Sequence, residues 1–200
     1  MEKGIFDPQR QQLALPAKIV AALERISQAF RVLLWEKAKN LGLSPIQIQI
    51  LIFVAHHRAA YNNVSFLAKE FDLTKPTISD AIRALDQKGL IEKKASPTDS
   101  RSYTILLSEK GRQMVGVTED FADPLASSVE GMGQKEQEKL FQRLSQLIHQ
   151  LNQNDILTVQ RSCFSCKFFG EKGTEPYCHL LQRKLKPADI RVDCNDYETK

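Results

Sequence analysis

The chain has 200 residues, 42% hydrophobic and 26% charged, with a net charge of +4 and a pI near 8.8. This is enough for one domain with a good core plus an appendage, and the balance is that of a soluble globular chain. The opening MEKGIFDPQR has no apolar stretch of the secretory kind, and the longest apolar run, Ile46 to Ala55, is interrupted by Gln47 and Gln49 and too short to span a bilayer. These features argue against export and membrane insertion, so a cytoplasmic protein is expected. There, four cysteines point to metal ligands or redox groups rather than a disulfide framework. The mild basicity permits a polyanion partner without demanding one.

Residues 1 to about 15 are polar and expected to fray. A helical pattern then runs from Pro16 to Asn40. Its Ile19, Leu23, Ile26, Phe30 and Leu33 fall at alternating spacings of four and three, a seam suited to a partner helix. Trp35 reads as core or interface. Leu41-Gly42-Leu43 breaks this helix, and Ser44-Pro45-Ile46-Gln47 starts another as a capping box with proline at N1. The IQIQILIFVA that follows alternates like a strand, but the cap and the length of the run favour a buried helix. His56 and His57 close it, at a helix end that favours positive or dipolar groups. Arg58 to Asn63 is a turn. Ser65 is expected to cap a short helix, Phe66 to Phe71, with Leu67 and Ala68 facing in. Asp72-Leu73 then turns tightly into Thr74.

From Thr74 to Gly89 the pattern is again helical, with Thr74 as N-cap, Pro76 in the first turn and Gly89 as the stop. Ile78, Ile82 and Leu85 form a narrow buried stripe, leaving Lys75, Thr77, Ser79, Asp80 and Arg83 on other faces. The period then changes. Leu90 to Lys94 reads as a strand, Ala95 to Ser102 as turn chemistry, and Tyr103 to Leu107 as a second strand, together a hairpin or wing. Ser108 caps a helix expected to reach about Phe121, with Pro124 interrupting or kinking it. Gly131 and Gly133 mark a bend. A last long helix, Gln134 to Gln153, carries Leu140, Leu144, Leu147 and Leu151 and can pair with the N-terminal helix, within one chain or between two.

A capped buried helix, a short helix, a tight turn, a polar-faced helix and a two-stranded wing form a winged helix-turn-helix layout. Residues 41–112 hold ten Lys and Arg against seven Asp and Glu, a local excess of the kind a phosphate surface needs. Lys75, Thr77, Ser79 and Arg83 are the best candidates for base or phosphate contacts, and Arg83 has the chemistry to read a guanine. Lys93 and Lys94 are candidates for phosphate contact. Arg101, at the hairpin tip, has the reach to enter a minor groove, and Asp99 can hold its guanidinium. An Asp–Arg pair that merely stiffens the hairpin accounts for the same residues. Asp80 is awkward at a phosphate surface; it either accepts from a cytosine amine or pairs with a nearby cation.

Several stretches resemble the MarR-type transcriptional regulators: Leu67-Ala68, Thr77, the run from Ala84 through Leu90-Ile91 to Lys93, Asp99-Ser100-Arg101, and Leu107-Ser108-Glu109-Lys110-Gly111. Asp86 stands where that family has Glu before its Gly-Leu-Ile, and Ser108 where it has Thr. The resemblance covers about residues 16–153. It implies an obligate homodimer with interlocked terminal helices, recognition helices in successive major grooves and wing tips in adjacent minor grooves. Half-sites would lie about one turn, ~34 Å, apart on a pseudo-palindrome. Similar regulators bind small, often phenolic, effectors in crevices between the dimer and DNA-binding regions.

The tail after Asp155 differs in composition and holds every cysteine, as Cys163-x2-Cys166-x11-Cys178-x15-Cys194. Two thiolates from a CxxC knuckle and two later ones complete a tetrahedral set with no open position, so a structural site is expected. Zinc is the first expectation, an iron–sulfur cluster the second, and a thiol–disulfide redox pair the third. Phe164, Phe168, Phe169, Leu180 and Leu181 are expected to form an apolar shell, because so short a tail hardly builds a core without a staple. His179 is a spare ligand, made awkward by its adjacency to Cys178.

The expected fold is mainly α with a small β-wing. It comprises an N-terminal arm and dimerisation helix (1–40), a winged helix-turn-helix domain (41–112), C-terminal dimerisation helices (113–154) and a metal-stapled four-cysteine tail (155–200). The expected function is a homodimeric DNA-binding regulator, a repressor in the first instance. The rivals are a cysteine-based redox sensor and a protein-docking winged helix that reads no DNA. An enzyme is not expected, since the sequence offers no base–nucleophile pair, phosphate loop or open metal site.

Overall fold

The break after Leu41 sets the architecture. In a computed structural model that describes residues 4–95, 103–173 and 175–200, Gly42 is left-handed (φ 62°) and its N–H closes the preceding helix, a role suited to a residue without Cβ. That helix, α2 (Leu15–Leu41), follows a short α1 (Pro8–Leu13). Within the stretch expected to fray, residues 8–13 are thus helical. Asp7 accepts from the Gln9 N–H at 2.8 Å and Pro8 opens the helix, satisfying one orphan donor and removing another.

Ser44 starts α3 (Pro45–His56) through the expected capping box. Its Oγ accepts from the Gln47 N–H at 3.4 Å, and Gln47 Oε1 accepts from the Ser44 N–H at 3.0 Å. Ile48, Ile50, Leu51, Phe53 and Val54 are all buried. A helix buried on several sides has no polar face, which is why its sequence can alternate without being a strand.

The next helix, α4 (Val64–Glu70), starts earlier than expected. Its cap is Asn63, not Ser65: Asn63 has the extended backbone a cap requires and accepts from the Phe66 N–H at 3.0 Å. Leu67 and Ala68 face the core as expected. After the turn at Asp72 (φ 50°), α5 (Lys75–Gln87) begins at its Thr74 cap. Strands β1 (Ile91–Ala95) and β2 (Tyr103–Leu107) pair antiparallel, from Ile91 opposite Leu107 to Ala95 opposite Tyr103. The Ile105 N–H donates to the Asn62 carbonyl at 2.8 Å, tying the wing to the segment between α3 and α4.

Helix α6 (Glu109–Gly116) stops short of the expected Phe121. A single 3-10 turn (Glu119–Ala122) intervenes, and α7 (Asp123–Glu130) carries Pro124 in its first turn. Pro124 therefore starts a helix rather than interrupting one, at a place where its missing N–H needs no partner. Helix α8 (Gln134–Gln153) has the expected span.

One core joins Leu34 and Ala38 of α2 with α3, α4, α5, the wing and Val115 of α6. The α2 seam lies elsewhere: Ile19, Ile26 and Phe30 are exposed, and Trp35 is 62% exposed. Helix α8 packs on the Pro187–Asp189 turn of the tail rather than along that seam. The tail forms a small antiparallel sheet, β3 (Phe169–Lys172), β4 (Glu175–Cys178) and β5 (Arg183–Lys184), in that order. Among the described residues no single helix is long and apolar enough to cross a membrane; α2 and α3 meet the combined demand of length and apolar composition only as a pair bent by 92°.

Candidate nucleic-acid interface and cysteine centre

The face that α5 turns away from the core is set by its own periodicity. Ile78, Ala81, Ile82 and Leu85 are buried, so Lys75, Thr77 and Arg83 project outward, with Ser79 half-buried beside them. Thr77 is held at the first turn, its N–H on Thr74 Oγ1 at 3.3 Å and its hydroxyl 2.8 Å from the same oxygen. Asp80 is the partner of Arg83, whose guanidinium donates to Oδ1 at 2.8 Å with both side chains exposed. Among the described residues Lys75 carries no ion pair.

On the wing, Lys93 is already engaged. Its Nζ meets Asp86 Oδ2 of α5 at 2.7 Å and lies 5.5 Å from the centre of the Tyr103 ring. Lys94 is exposed and, among the described residues, has no ion pair. Asp99 and Arg101 lie outside the described residues. The base of the wing is tied to neighbouring backbone by one side chain: Ser108 Oγ donates to the Gly89 carbonyl at 2.7 Å and accepts from the Gly111 N–H at 3.0 Å. At Gly111 a Cβ would stand 1.9 Å from the Leu90 carbonyl oxygen. The Gly-Leu-Ile and Ser-Glu-Lys-Gly stretches are thus two sides of one tight crossing.

The structure also assembles a site with little signal in the sequence. Arg161, with a side chain only 6% exposed, reaches two carboxylates at once. It donates to Glu70 at 2.6 and 3.0 Å and to Asp193 at 2.7 and 2.8 Å. Its guanidinium lies 5.2 Å from the centre of the Phe53 ring, and Phe53 stacks on His57. His57 adds a 2.9 Å contact to Asp193. Burial alone would lower the Arg161 pKa, but its hydrogen bonds to Asp193 and Glu70 and their charge raise it. Burial likewise pushes the Asp193 carboxyl up, and Arg161 and His57 more than reverse this, holding it below its ordinary value. Two further contacts fasten the tail to the end of α3: Arg58 donates to Asp196 at 2.8 Å, and Asn195 donates to the His56 carbonyl at 2.9 Å. The paired histidines are therefore a joint to the tail as well as a helix end.

The four cysteines converge on one cavity, with Phe168, Phe169, Leu180, Leu181 and Leu185 among its walls. Phe164, expected in that shell, packs instead near His149 and edge-on to Phe169. Cys163 accepts from the Arg191 N–H at 3.2 Å, and Cys194 from the Arg191 guanidinium at 3.3 Å. Burial pushes the Cys163 thiol up; the Arg191 N–H opposes this, while Cys194, Cys178 and Cys166 add to it. Among the described residues no group of three or more His, Cys, Asp or Glu side chains is arranged as a ready ligand set for a single ion.

The model of the MarR family matches residues 41–102. The solved S. aureus MepR–DNA complex is similar at 23% identity and a TM-score of 0.57, covering 66% of this chain and 96% of that one. The transcriptional regulator PA3341 is similar at 26% identity and 0.57, covering 68% and 98%. A MarR transcriptional regulator from Methanosarcina mazei Go1 is similar at 19% identity and 0.57, covering 69% and 97%. No curated protein matches the chain. Residues 41–102 thus carry a MarR-type winged helix, in a chain whose fold over about two thirds of its length is that of solved MarR-type transcriptional regulators.

Proposed function

We propose that this chain is a homodimeric, cytoplasmic DNA-binding transcriptional regulator, acting as a repressor on a pseudo-palindromic operator. The observation that carries the reading is α5: a stripe sunk fully in the core leaves Lys75, Thr77 and Arg83 projecting from a helix followed directly by a basic hairpin. The likeness to MepR solved on DNA supports it. In this reading α5 enters a major groove, with Lys75, Thr77, Ser79 and Arg83 at bases and phosphates. Lys93 and Lys94 approach the backbone, and Arg101, supported by Asp99, enters the minor groove. The exposed α2 seam is the surface for the second copy. A cleft lined by Val54, Asn62, Leu106, Arg112 and Val115 is the candidate effector crevice. The role is binding, not catalysis.

The test is the affinity for duplex DNA as salt is raised. Each phosphate contact adds ~0.9 to the slope of log affinity against log salt, and Lys75→Ala and Lys94→Ala should each lower that slope by about one contact's worth. A slope near zero replaces this reading with a protein-docking winged helix.

A further inference from the structure

We propose that Cys163, Cys166, Cys178 and Cys194 hold an iron–sulfur cluster, and that the segment carrying Cys194 couples this cluster to the winged helix. The thiols arrive on three separate pieces of backbone: the turn at Cys163–Ser165 with Cys166 after it, the end of β4, and the loop of residues 191–196. All four are free thiols that face one cavity with largely apolar walls.

Two features separate a cluster from a single ion. Zinc draws four sulfurs to ~2.3 Å from one point, and among the described residues no three ligand-type side chains are gathered around such a point. A cluster instead occupies a body of several atoms with the thiolates at its corners, and here the corners enclose a space with apolar walls. The sulfurs also accept hydrogen bonds from the Arg191 N–H and guanidinium. N–H···S bonds and limited solvent access are the means by which proteins tune such clusters. His179 is not among the residues lining the cavity, so four thiolates make up the whole set. Ligation takes them as thiolates and releases their protons.

The coupling lies in the residues around Cys194. Asp193 binds Arg161 and His57, Asn195 binds the His56 carbonyl, and Asp196 binds Arg58. Arg161 in turn holds Glu70, the last residue of α4, just before the turn into α5. A cluster that fixes Cys194 fixes these anchors; its loss frees them together. This second half rests on the DNA-binding reading.

The experiment uses the full chain, purified anaerobically and also reconstituted with ferrous iron and sulfide. The expected result is a brown protein with iron and acid-labile sulfide in comparable amounts, lost in Cys178→Ser and Cys194→Ser. A colourless protein holding one zinc per chain overturns the proposal, as does a metal-free protein with four titratable thiols or with a disulfide. The wild-type spectrum decides this even where a cysteine variant fails to fold. For the coupling, removing the cluster should change wild-type affinity for duplex DNA by about fivefold or more, the usual scale of linked sites, and leave that of Arg161→Gln unshifted. Wild-type affinity indifferent to the cluster overturns the coupling. Failure of both forms to bind DNA removes the regulator reading, with the spectrum still deciding the cluster.

Discussion

At Gly111 a side chain would have to occupy the space of the Leu90 carbonyl, which also accepts from the Ser108 N–H at 3.2 Å. Neither strand of backbone can yield without breaking the crossing that seats the wing. Gly111→Ala is expected to destabilise the protein by about 1–3 kcal/mol or more, read as a lower urea midpoint; an unchanged midpoint would contradict the close approach. The Arg83–Asp80 pair is the opposite case. Exposed pairs contribute ~0–1 kcal/mol, so in the proposed DNA-binding reading the guanidinium can leave Asp80 for a base at little cost; in the free chain Asp80 is the partner of this cation. The outward face of α5 was legible in the sequence because helical periodicity is local. The Arg161 site was not, because Glu70 lies 91 residues from Arg161, and His57 lies 136 residues from Asp193. No spacing rule connects residues that meet only after two parts of the chain have docked.

Among the elements, the helix starts show where local rules suffice and where they compete. The box at Ser44 has a proline and a glutamine in register, and no neighbour offers a rival cap. Before α4, Asn63 and Ser65 are both good caps, and backbone geometry selects Asn63, leaving Ser65 exposed in the first turn. Asn63→Ala should therefore cost about 1 kcal/mol, while Ser65→Ala should stay within ~0.5 kcal/mol. Thermal unfolding of the two variants checks the order, and the reverse order would restore Ser65 as the cap. Pro124 teaches a related lesson. A proline seen in sequence marks a boundary, but whether a helix ends or begins there depends on what precedes it, here a 3-10 turn that sequence periodicity does not announce.

For the whole molecule, the main unmet demand is the N-terminal face. Leu15, 67% exposed, shares one face of α2 with the exposed Ile19, Ile26 and Phe30, a face that the chain's own core leaves uncovered. A contiguous surface of this kind is expected to be covered by association. Phe30→Glu together with Ile26→Glu should turn a dimer into a monomer in sedimentation; an undiminished mass would move the interface elsewhere. The sequence division at residue 154 sets the helices apart from the tail, and the docking of Asp193, Asn195 and Asp196 on the end of α3 crosses it. The winged helix therefore supplies part of the scaffold that places Cys194. Grafted onto another protein, the tail would carry the hairpin and turn that present Cys163, Cys166 and Cys178, but not the surface that seats the fourth. It is not a portable module, and lineages that shuffle domains could pass it on only together with its host.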